Sequence, residues 1–560
     1  MAHMWFGNIV TMKWWDDLWL NESFADYICI YAVSKVQSDQ FPEAWQYFLN
    51  RKGWGYATDQ LPTTHPISLI VRHTAETETL FDGISYSKGA AVLKQLSFVV
   101  GEENFRAGIR KYMAKYQYSN ATFEDLITVL DGETELDMNE WANSWVKTAG
   151  LNEVQAAVEV SAEGIVQGFE IVQTPALAAH ATLRIHKIVA ELYDSDLNLR
   201  TTEVIQVQPI ERTSVSSLVG SPAPSFVLLN AKDYGFVKVI IEPRSLPLLK
   251  EGLSRILDPL SRQLTYRALW DMVRDLKMSA AEFVDILSSQ LAFEGSLYNI
   301  TYTLDIASTA LASYVPAGEA KNAFYHKILE AILLKIAEAQ DRATIVELKK
   351  YVYSYVRRDD DVAKAVEWLK SNSTGVANLE LSQADRWHIL KIFSIRNVEE
   401  AQALVAKEAD DDKSDTGKLA SLYCKNAVPT AENKAQWWGA YTGAEGQKLS
   451  RYERTSAMNG FIHGKQKELL SGYIDAYFST VLSIISSSDQ EYSYDFISSL
   501  FPGIIDESEL VERVNELLPQ IGDQYSKIIR YLREKVDSLI KNKKAKLLSE
   551  EYLARQEAKL

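Results

Sequence analysis

The sequence has little cysteine, little proline in its second half and no long apolar run. Cys29 and Cys424 are its two cysteines, which indicates a reducing compartment and excludes both a disulfide framework and a metal site built from thiolates. Any metal must therefore be bound by His and carboxylates. No stretch approaches the roughly 18 to 20 apolar residues that a membrane span requires, so we predict no membrane segment. No signal peptide is visible at the N-terminus.

Basic residues are outnumbered by acidic ones. Subtracting 75 Asp and Glu from 59 Lys and Arg gives a net charge of -16, which disfavours nucleic acid and anionic lipid as partners. Hydrophobic residues make up 47% of the chain, so disorder is excluded as well. The composition indicates a globular protein of several domains.

Residues 1–148 have the pattern of a mainly α region. Asp16 and Asp17 suit the start of a helix, along which Leu18, Ala25 and Cys29 recur at helical spacing. Further along, the segment Thr122–Asp125 resembles a capping box ahead of another amphipathic helix.

The hydrophobic period changes near Gly150. Short β-branched segments separated by turn residues follow, and they predict a small antiparallel β-sandwich over 149–244. The predicted strands are Val154–Val160, Gly168–Val172, Leu183–Val189, Glu203–Val207, Phe226–Leu229 and Phe236–Ile241.

Proline is scarce in the remainder, since ten of the fourteen prolines lie at or before Pro259. Long uninterrupted helices follow from that scarcity, and we predict a HEAT-like helical array over 245–560. The acidic tract 410–415 is interpreted as a solvated loop within it. The whole chain is thus predicted to be a multidomain α+β protein that is mainly α.

Glu22 is the first candidate for chemistry. The helical spacing of Leu18, Ala25 and Cys29 places its carboxylate on the apolar face of its own helix, where it needs a positive partner. Either that partner is a Lys or Arg from elsewhere or a metal ion, or Glu22 simply occupies an edge position of the face. His3, eighteen residues before Glu22, is the candidate co-ligand, with a hydrogen-bonded structural histidine as the alternative.

The residues around this pair resemble the zinc aminopeptidases of the gluzincin class, the aminopeptidase N and puromycin-sensitive aminopeptidase group. That family carries H-E-x-x-H and, eighteen residues later, a Glu in W-L-N-E-[GS]-F-A. Here Ala2-His3 matches the end of the first motif, and Trp19–Ala25 (WLNESFA) matches the second. The resemblance implies that His3 is the second zinc histidine and Glu22 the third protein ligand.

A second match lies in Phe81–Gly89 (FDGISYSKG), which is similar to the tyrosine segment of that family. By this resemblance Tyr86 donates a hydrogen bond to the oxyanion of the tetrahedral intermediate. The family also places a β-sandwich and then a helical array after a thermolysin-like catalytic domain. The resemblance therefore implies that 1–148 is the C-terminal part of such a domain, 149–244 the β-sandwich and 245–560 the array.

The sequence also departs from the family pattern. The first zinc histidine, the general-base Glu, the G-x-M-E-N motif that binds the substrate's α-amine and the N-terminal β-domain are not found in it. We therefore expect the chain to correspond to the C-terminal part of a longer enzyme or to an N-truncated gene model, inactive alone.

The resulting hypothesis is a zinc aminopeptidase that acts on peptides with a free N-terminus, located in the cytoplasm. A thermolysin-like endopeptidase is the nearer alternative, and a non-catalytic helical scaffold or peptide-binding protein is the more distant one. The C-terminal residues Ala558-Lys559-Leu560 are similar to the S-K-L peroxisomal signal, which gives a second possible location.

Overall fold

A computed structural model describes the chain except for residues 75, 76, 78–80, 397, 398, 559 and 560. The last two belong to the tripeptide compared with a peroxisomal signal, so that prediction lies outside the described residues. The chain divides into two compact units. The first consists of Met1–Met278 with Asp285–Ile306, and the second of Ser279–Val284 with Ala307–Leu560. The three-domain division at 148/149 and 244/245 stays a prediction.

Helices dominate the N-terminal part of the first unit. They are α1 (Leu18–Val36), α2 (Ala44–Thr58), α3 (Gly89–Val100), α4 (Glu102–Tyr116), α5 (Phe123–Asp131) and α6 (Met138–Trp145). A π-helix, Ile84–Lys88, runs directly into α3. Two short strands, β1 (Val10–Met12) and β2 (Ser119–Ala121), pair in parallel.

The predicted capping box at Thr122 is confirmed. The Thr122 hydroxyl accepts from the Asp125 amide, and the Asp125 carboxylate accepts from the Thr122 amide, at the start of α5. The predicted start of α1 is also right, but its acidic residues do not cap that helix. Asp17 instead accepts a hydrogen bond at 3.0 Å from the Phe123 amide, and burial raises its pKa to about 6.

The β-rich part of the first unit forms two small sheets. One has the order β7-β4-β3-β9 and the other β6-β5-β8. The strands are β3 (Asn152–Val160), β4 (Val166–Pro175), β5 (His186–Tyr193), β6 (Leu199–Val207), β7 (Arg212–Ser214), β8 (Phe226–Ala231) and β9 (Lys238–Ile240). One pairing corrects the antiparallel prediction, since β3 and β9 run parallel. A long connection through the other strands separates these two in sequence, and parallel pairing requires such a crossover.

The rest of the chain is helical. The helices of this part are α7 (Leu246–Gly252), α8 (Pro259–Arg274), α9 (Ala280–Gln290), α10 (Leu297–Ser313), α11 (Glu319–Glu338), α12 (Arg342–Tyr355), α13 (Asp359–Ser371), α14 (Gln383–Ser394), α15 (Glu399–Asp411), α16 (Asp415–Ala427), α17 (Ala431–Thr442), α18 (Ala444–Lys448), α19 (Arg451–Phe461), α20 (Lys467–Leu470), α21 (Gly472–Ser487), α22 (Gln490–Ser499), α23 (Glu507–Leu517) and α24 (Ser526–Glu557). The prediction of a mainly helical protein is confirmed, whereas a HEAT-like repeat arrangement stays a prediction. The acidic tract 410–415 is largely exposed, as predicted, but its two ends belong to α15 and α16.

An aromatic core supports the start of the chain. The rings of Phe6 and Phe24 stack with centroids 3.6 Å apart, and Tyr112 lies beyond Phe6 at 5.5 Å. These side chains are almost completely buried, as is Trp19 one turn before Phe24. Because Phe6 belongs to this core, the N-terminal turn that carries His3 is fixed against α1.

Of the helices in the described part of the chain, none by itself has the length and apolar character of a membrane span. One bent pair, Gly464–Leu470 with Gly472–Ser487, satisfies these criteria when its two helices are taken together, at an angle of 78°.

Candidate functional site

Glu22 lies beside the buried face of α1 and not on it. The buried residues of this helix are Trp19, Leu20, Ser23, Phe24, Tyr27 and Ile30. Cys29 is exposed, so the predicted apolar face through Leu18, Ala25 and Cys29 is wrong. The aromatic side chains Trp19, Phe24 and Tyr27, on the adjacent face of the helix, occupy the core instead. Glu22 is left half-buried, with a side-chain exposure of 16%.

His3 approaches Glu22 from a 3-10 turn formed by Ala2–Met4. Its Nε2 lies 3.6 Å from Glu22 Oε2, and its Nδ1 lies 3.2 Å from Asn21 Oδ1. Gly7, at φ +120°, makes room for this arrangement, because a Cβ there would lie 2.6 Å from Asn21 Oδ1. The Asn21 amide oxygen accepts from Nδ1 only if that nitrogen carries a proton, and the neutral tautomer with its proton there presents the Nε2 lone pair to Glu22.

Tyr86 is presented by the π-helix Ile84–Lys88. Asp82 fixes the start of this turn by accepting hydrogen bonds from the Ile84 and Ser85 amides at 2.9 and 3.2 Å. At the other end, the buried Lys88 ammonium pairs with Asp59 at 2.9 Å. Helices of this type are rare and are often found at functional sites.

A close approach between α1 and the π-helix brings Tyr86 toward Glu22. The Ser23 hydroxyl donates to the Ser85 carbonyl at 2.5 Å. Gly89 permits this contact, since a Cβ at that position would lie 2.0 Å from Ser23 Oγ. A side chain of α1 thus contacts the backbone of the π-helix directly. Glu22 and Tyr86 are the sequence neighbours of the two residues in this contact, Ser23 and Ser85.

The Glu22 carboxylate is near enough to the Tyr86 phenol to act on its pKa, and the Tyr86 ring stacks on Trp54 at a centroid distance of 5.9 Å. Burial and the Glu22 carboxylate together raise the pKa of Tyr86 to about 12. The hydroxyl is thus protonated at neutral pH and is available as a hydrogen-bond donor.

The His3 and Glu22 pair fits two positions of a zinc site. With bonds of about 2.0 to 2.2 Å and tetrahedral angles, two ligand atoms of one zinc ion lie about 3.3 to 3.5 Å apart, close to the 3.6 Å between Nε2 and Oε2. No group of three or more His, Cys, Asp or Glu suited to a metal occurs among the described residues. The pair alone therefore supplies an incomplete ligand set.

Sequence reasoning missed several residues that shape this site. Asn21 orients His3, and Trp54 stacks on Tyr86. His65 contacts Asp82 at 3.0 Å and supports the turn from behind. Asn21 and Asp82 stand inside the two recognised motifs, but no sequence signal singles out Trp54 or His65, which come from other segments of the chain.

Two family descriptions match the chain. The Peptidase family M1 domain matches residues 1–145, and the ERAP1-like C-terminal domain matches residues 226–539. The chain is 30% identical to aminopeptidase N of Streptomyces lividans over 530 residues, which are 92% of this chain and 61% of that protein. It is 44% identical to leucyl aminopeptidase of Saccharolobus solfataricus over 161 residues, 28% of this chain and 20% of that protein. It is 40% identical to tricorn protease-interacting factor F2 of Thermoplasma volcanium over 154 residues, 27% of this chain and 19% of that protein.

These matches, together with the fold, place the chain in the class of peptidase-related proteins. It belongs to the family in which a Peptidase family M1 domain is joined to an ERAP1-like C-terminal domain. The chain spans about six tenths of the length of its Streptomyces lividans relative.

Proposed function

We propose that this chain supplies part of the active site of a zinc-dependent aminopeptidase that removes N-terminal residues from peptides. The observation that carries the proposal is the convergence of His3, Glu22 and Tyr86 from three separate segments of the chain. His3 and Glu22 approach to 3.6 Å, and the Glu22 carboxylate contributes to the raised pKa of Tyr86.

Each residue has a role that follows from its surroundings. His3 and Glu22 would hold zinc, and Asn21 would fix the imidazole tautomer through Nδ1. When bound, zinc supplies Lewis acidity toward a water molecule and the scissile carbonyl. Tyr86 keeps its proton at neutral pH and donates it in a hydrogen bond to the developing oxyanion. The stacked Trp54 ring holds the phenol in position.

Two protein ligands are fewer than the three of an ordinary catalytic zinc site. We therefore propose that these 560 residues bind zinc weakly and show no turnover by themselves. Turnover of an aminoacyl anilide by the purified chain, abolished by a chelator, would overturn this part of the proposal.

Calorimetric titration of the chain with zinc tests the ligand roles. We expect weak binding that His3→Gln and Glu22→Gln each abolish. His326→Gln is the matched control, because His326 forms a comparable histidine and carboxylate pair with Asp361 at 2.9 Å. If the control lowers zinc binding as much as the site variants do, His3 and Glu22 are not the ligands. Loss of binding in none of the variants would favour the scaffold alternative.

Mapping of the transcript upstream of the Met1 codon tests the longer protein expected from the resemblance. We expect the reading frame to encode H-E directly before Met1 and G-x-M-E-N further upstream. In that longer protein, Tyr86→Phe should cost about 2–4 kcal/mol of transition-state stabilisation, as for other oxyanion donors. The ratio kcat/KM measures this loss, and an unchanged kcat would reject the role.

A further inference from the structure

A cavity in the second unit is lined by many cations. Its volume is about 710 Å³, and its basic lining residues are Lys321, Arg357, Lys391, Arg396, His463 and Lys465. None of its described lining residues is Asp or Glu, although acidic residues exceed basic ones in this chain by 75 to 59. We call it the cationic cavity.

Three of these cations form no ion pair with a carboxylate in the described part of the chain. Lys321 donates only to backbone carbonyls, including that of Val315 at 3.1 Å. Arg357 likewise donates to the carbonyl of Val356 at 3.0 Å, and the Lys391 ammonium lies 5.2 Å from the centroid of the Tyr423 ring. Their charges are therefore not neutralised by the protein.

The remaining two basic side chains, Arg396 and Lys465, share one carboxylate. Asp359 lies 3.4 Å from Arg396 and 2.6 Å from Lys465, and its side chain is 79% exposed. Burial and nearby cations lower the pKa of His463 to about 4, so this imidazole is neutral. Five Lys and Arg side chains thus line the cavity against a single, solvated carboxylate. Burial and the neighbouring Lys546 lower the pKa of Lys321 to about 8, so this lysine keeps most of its charge at pH 7.

We propose that the cationic cavity binds a small multivalent anion through phosphate groups. A phosphate group carries a charge of about −1.5 to −2 at neutral pH and several acceptor oxygens, whereas a carboxylate brings a single charge. The guanidinium of Arg357 can bind two phosphate oxygens at once, and Lys321 and Lys391 supply point charges. The proposal does not depend on the peptidase function, because it uses none of its residues.

Calorimetric titration of the intact chain with inorganic pyrophosphate, at constant ionic strength, tests this site. We expect binding that Arg357→Gln and Lys391→Gln each weaken by about 10- to 100-fold, since each removes a charge-assisted hydrogen bond. Lys407→Gln is the control, because Lys407 is exposed and lies outside the cavity lining. Absence of binding, or equal affinity in the site variants and the control, would overturn the proposal. Binding of citrate without binding of pyrophosphate would also overturn it, in favour of a carboxylate ligand.

Thermal unfolding gives an independent readout. Without an added anion, Lys391→Gln should unfold at a higher temperature than the unmodified chain, because the remaining cations repel one another less. Pyrophosphate should raise the unfolding midpoint of the unmodified chain and leave that of Lys391→Gln nearly unchanged. A lower midpoint for Lys391→Gln without anion would instead assign this lysine a structural role and contradict the site.

Discussion

In the described part of the chain, the two compact units bury their lysine side chains against different partners. In the first unit, buried lysines face carboxylates. Lys52 and Lys94 share Asp233, at 2.6 and 3.4 Å, and Lys88 pairs with Asp59 at 2.9 Å. These ion pairs join segments that are far apart in sequence.

In the second unit, Lys434 is completely buried and donates to backbone carbonyls. Its acceptors are the carbonyls of Asn426 and Phe461, at 2.8 and 2.7 Å. These residues lie at the C-termini of α16 and α19, where carbonyl groups are not used within the helix. Burial lowers the pKa of Lys434 to about 7.

The difference determines how the stability of each unit changes when a partner or a proton is removed from its buried lysines. An ion pair in the first unit fixes the arrangement of two chain segments, so loss of one partner leaves a buried charge. A lysine held by helix ends can lose its proton and still donate a hydrogen bond. Lys434 therefore makes the stability of the second unit depend on pH above neutrality.

The largest expected effect comes from breaking an ion pair of the first unit. Asp59→Asn leaves Lys88 as a buried charge without its carboxylate, and we expect a loss of about 3–5 kcal/mol in the free energy of unfolding. The exposed pair of Lys418 and Asp415 provides the control. Asp415→Asn should change stability by less than about 1 kcal/mol. Urea denaturation measures both, and similar losses would remove the distinction between buried and exposed pairs.

The second prediction concerns Lys434. Lys434→Met leaves two carbonyls without their donor and should cost about 1–3 kcal/mol. Its pH dependence has a definite sign. The folded pKa lies near 7, below the value of about 10.4 for an unfolded lysine, so between these values the unfolded state binds more protons and stability rises with pH.

Urea denaturation at pH 6, 8 and 9.5 tests this dependence. The unmodified chain should gain stability from pH 7 upward relative to Lys434→Met. The exposed neighbour Lys425 supplies the control variant Lys425→Met, which should keep the slope. Parallel pH profiles for the unmodified chain and Lys434→Met would show that the helix ends hold this lysine charged.

The smallest expected effect should be equal in the two units. Thr122→Ala in the first unit and Ser450→Ala in the second each remove the hydroxyl of a capping box and should cost about 1 kcal/mol. Thr122→Ser is the conservative control. Equal losses would limit the difference between the units to their buried charges, and a loss confined to one unit would extend it to the helix ends.

Local patterns were the most predictable part of the fold. The capping box at Thr122 depends on four consecutive residues, and the structure has it as the sequence predicts. The face that α1 buries was not predictable in the same way. Two adjacent stripes of this helix both contain apolar residues, and the choice between them depends on the partners that pack against Phe24.

The candidate site was predictable only where a motif carries it. His3, Glu22 and Tyr86 lie in recognisable segments, and the structure brings them together. The cationic cavity and the environment of Lys434 depend on how several helices pack against one another. The hydrophobic period of a helix predicts which face is buried but not which helix covers it. The same holds for the parallel pairing of β3 with β9.

The orientation of Tyr86 depends on the number of residues in the π-helix Ile84–Lys88. A π-turn contains one residue more than the corresponding α-turn, and successive residues of a helix are rotated by about 100° around its axis. Deletion of one residue from this segment would convert it to an α-turn and rotate Tyr86 away from Glu22, while Lys88 could remain paired with Asp59. Insertions and deletions should therefore be excluded from this segment more strictly than substitutions.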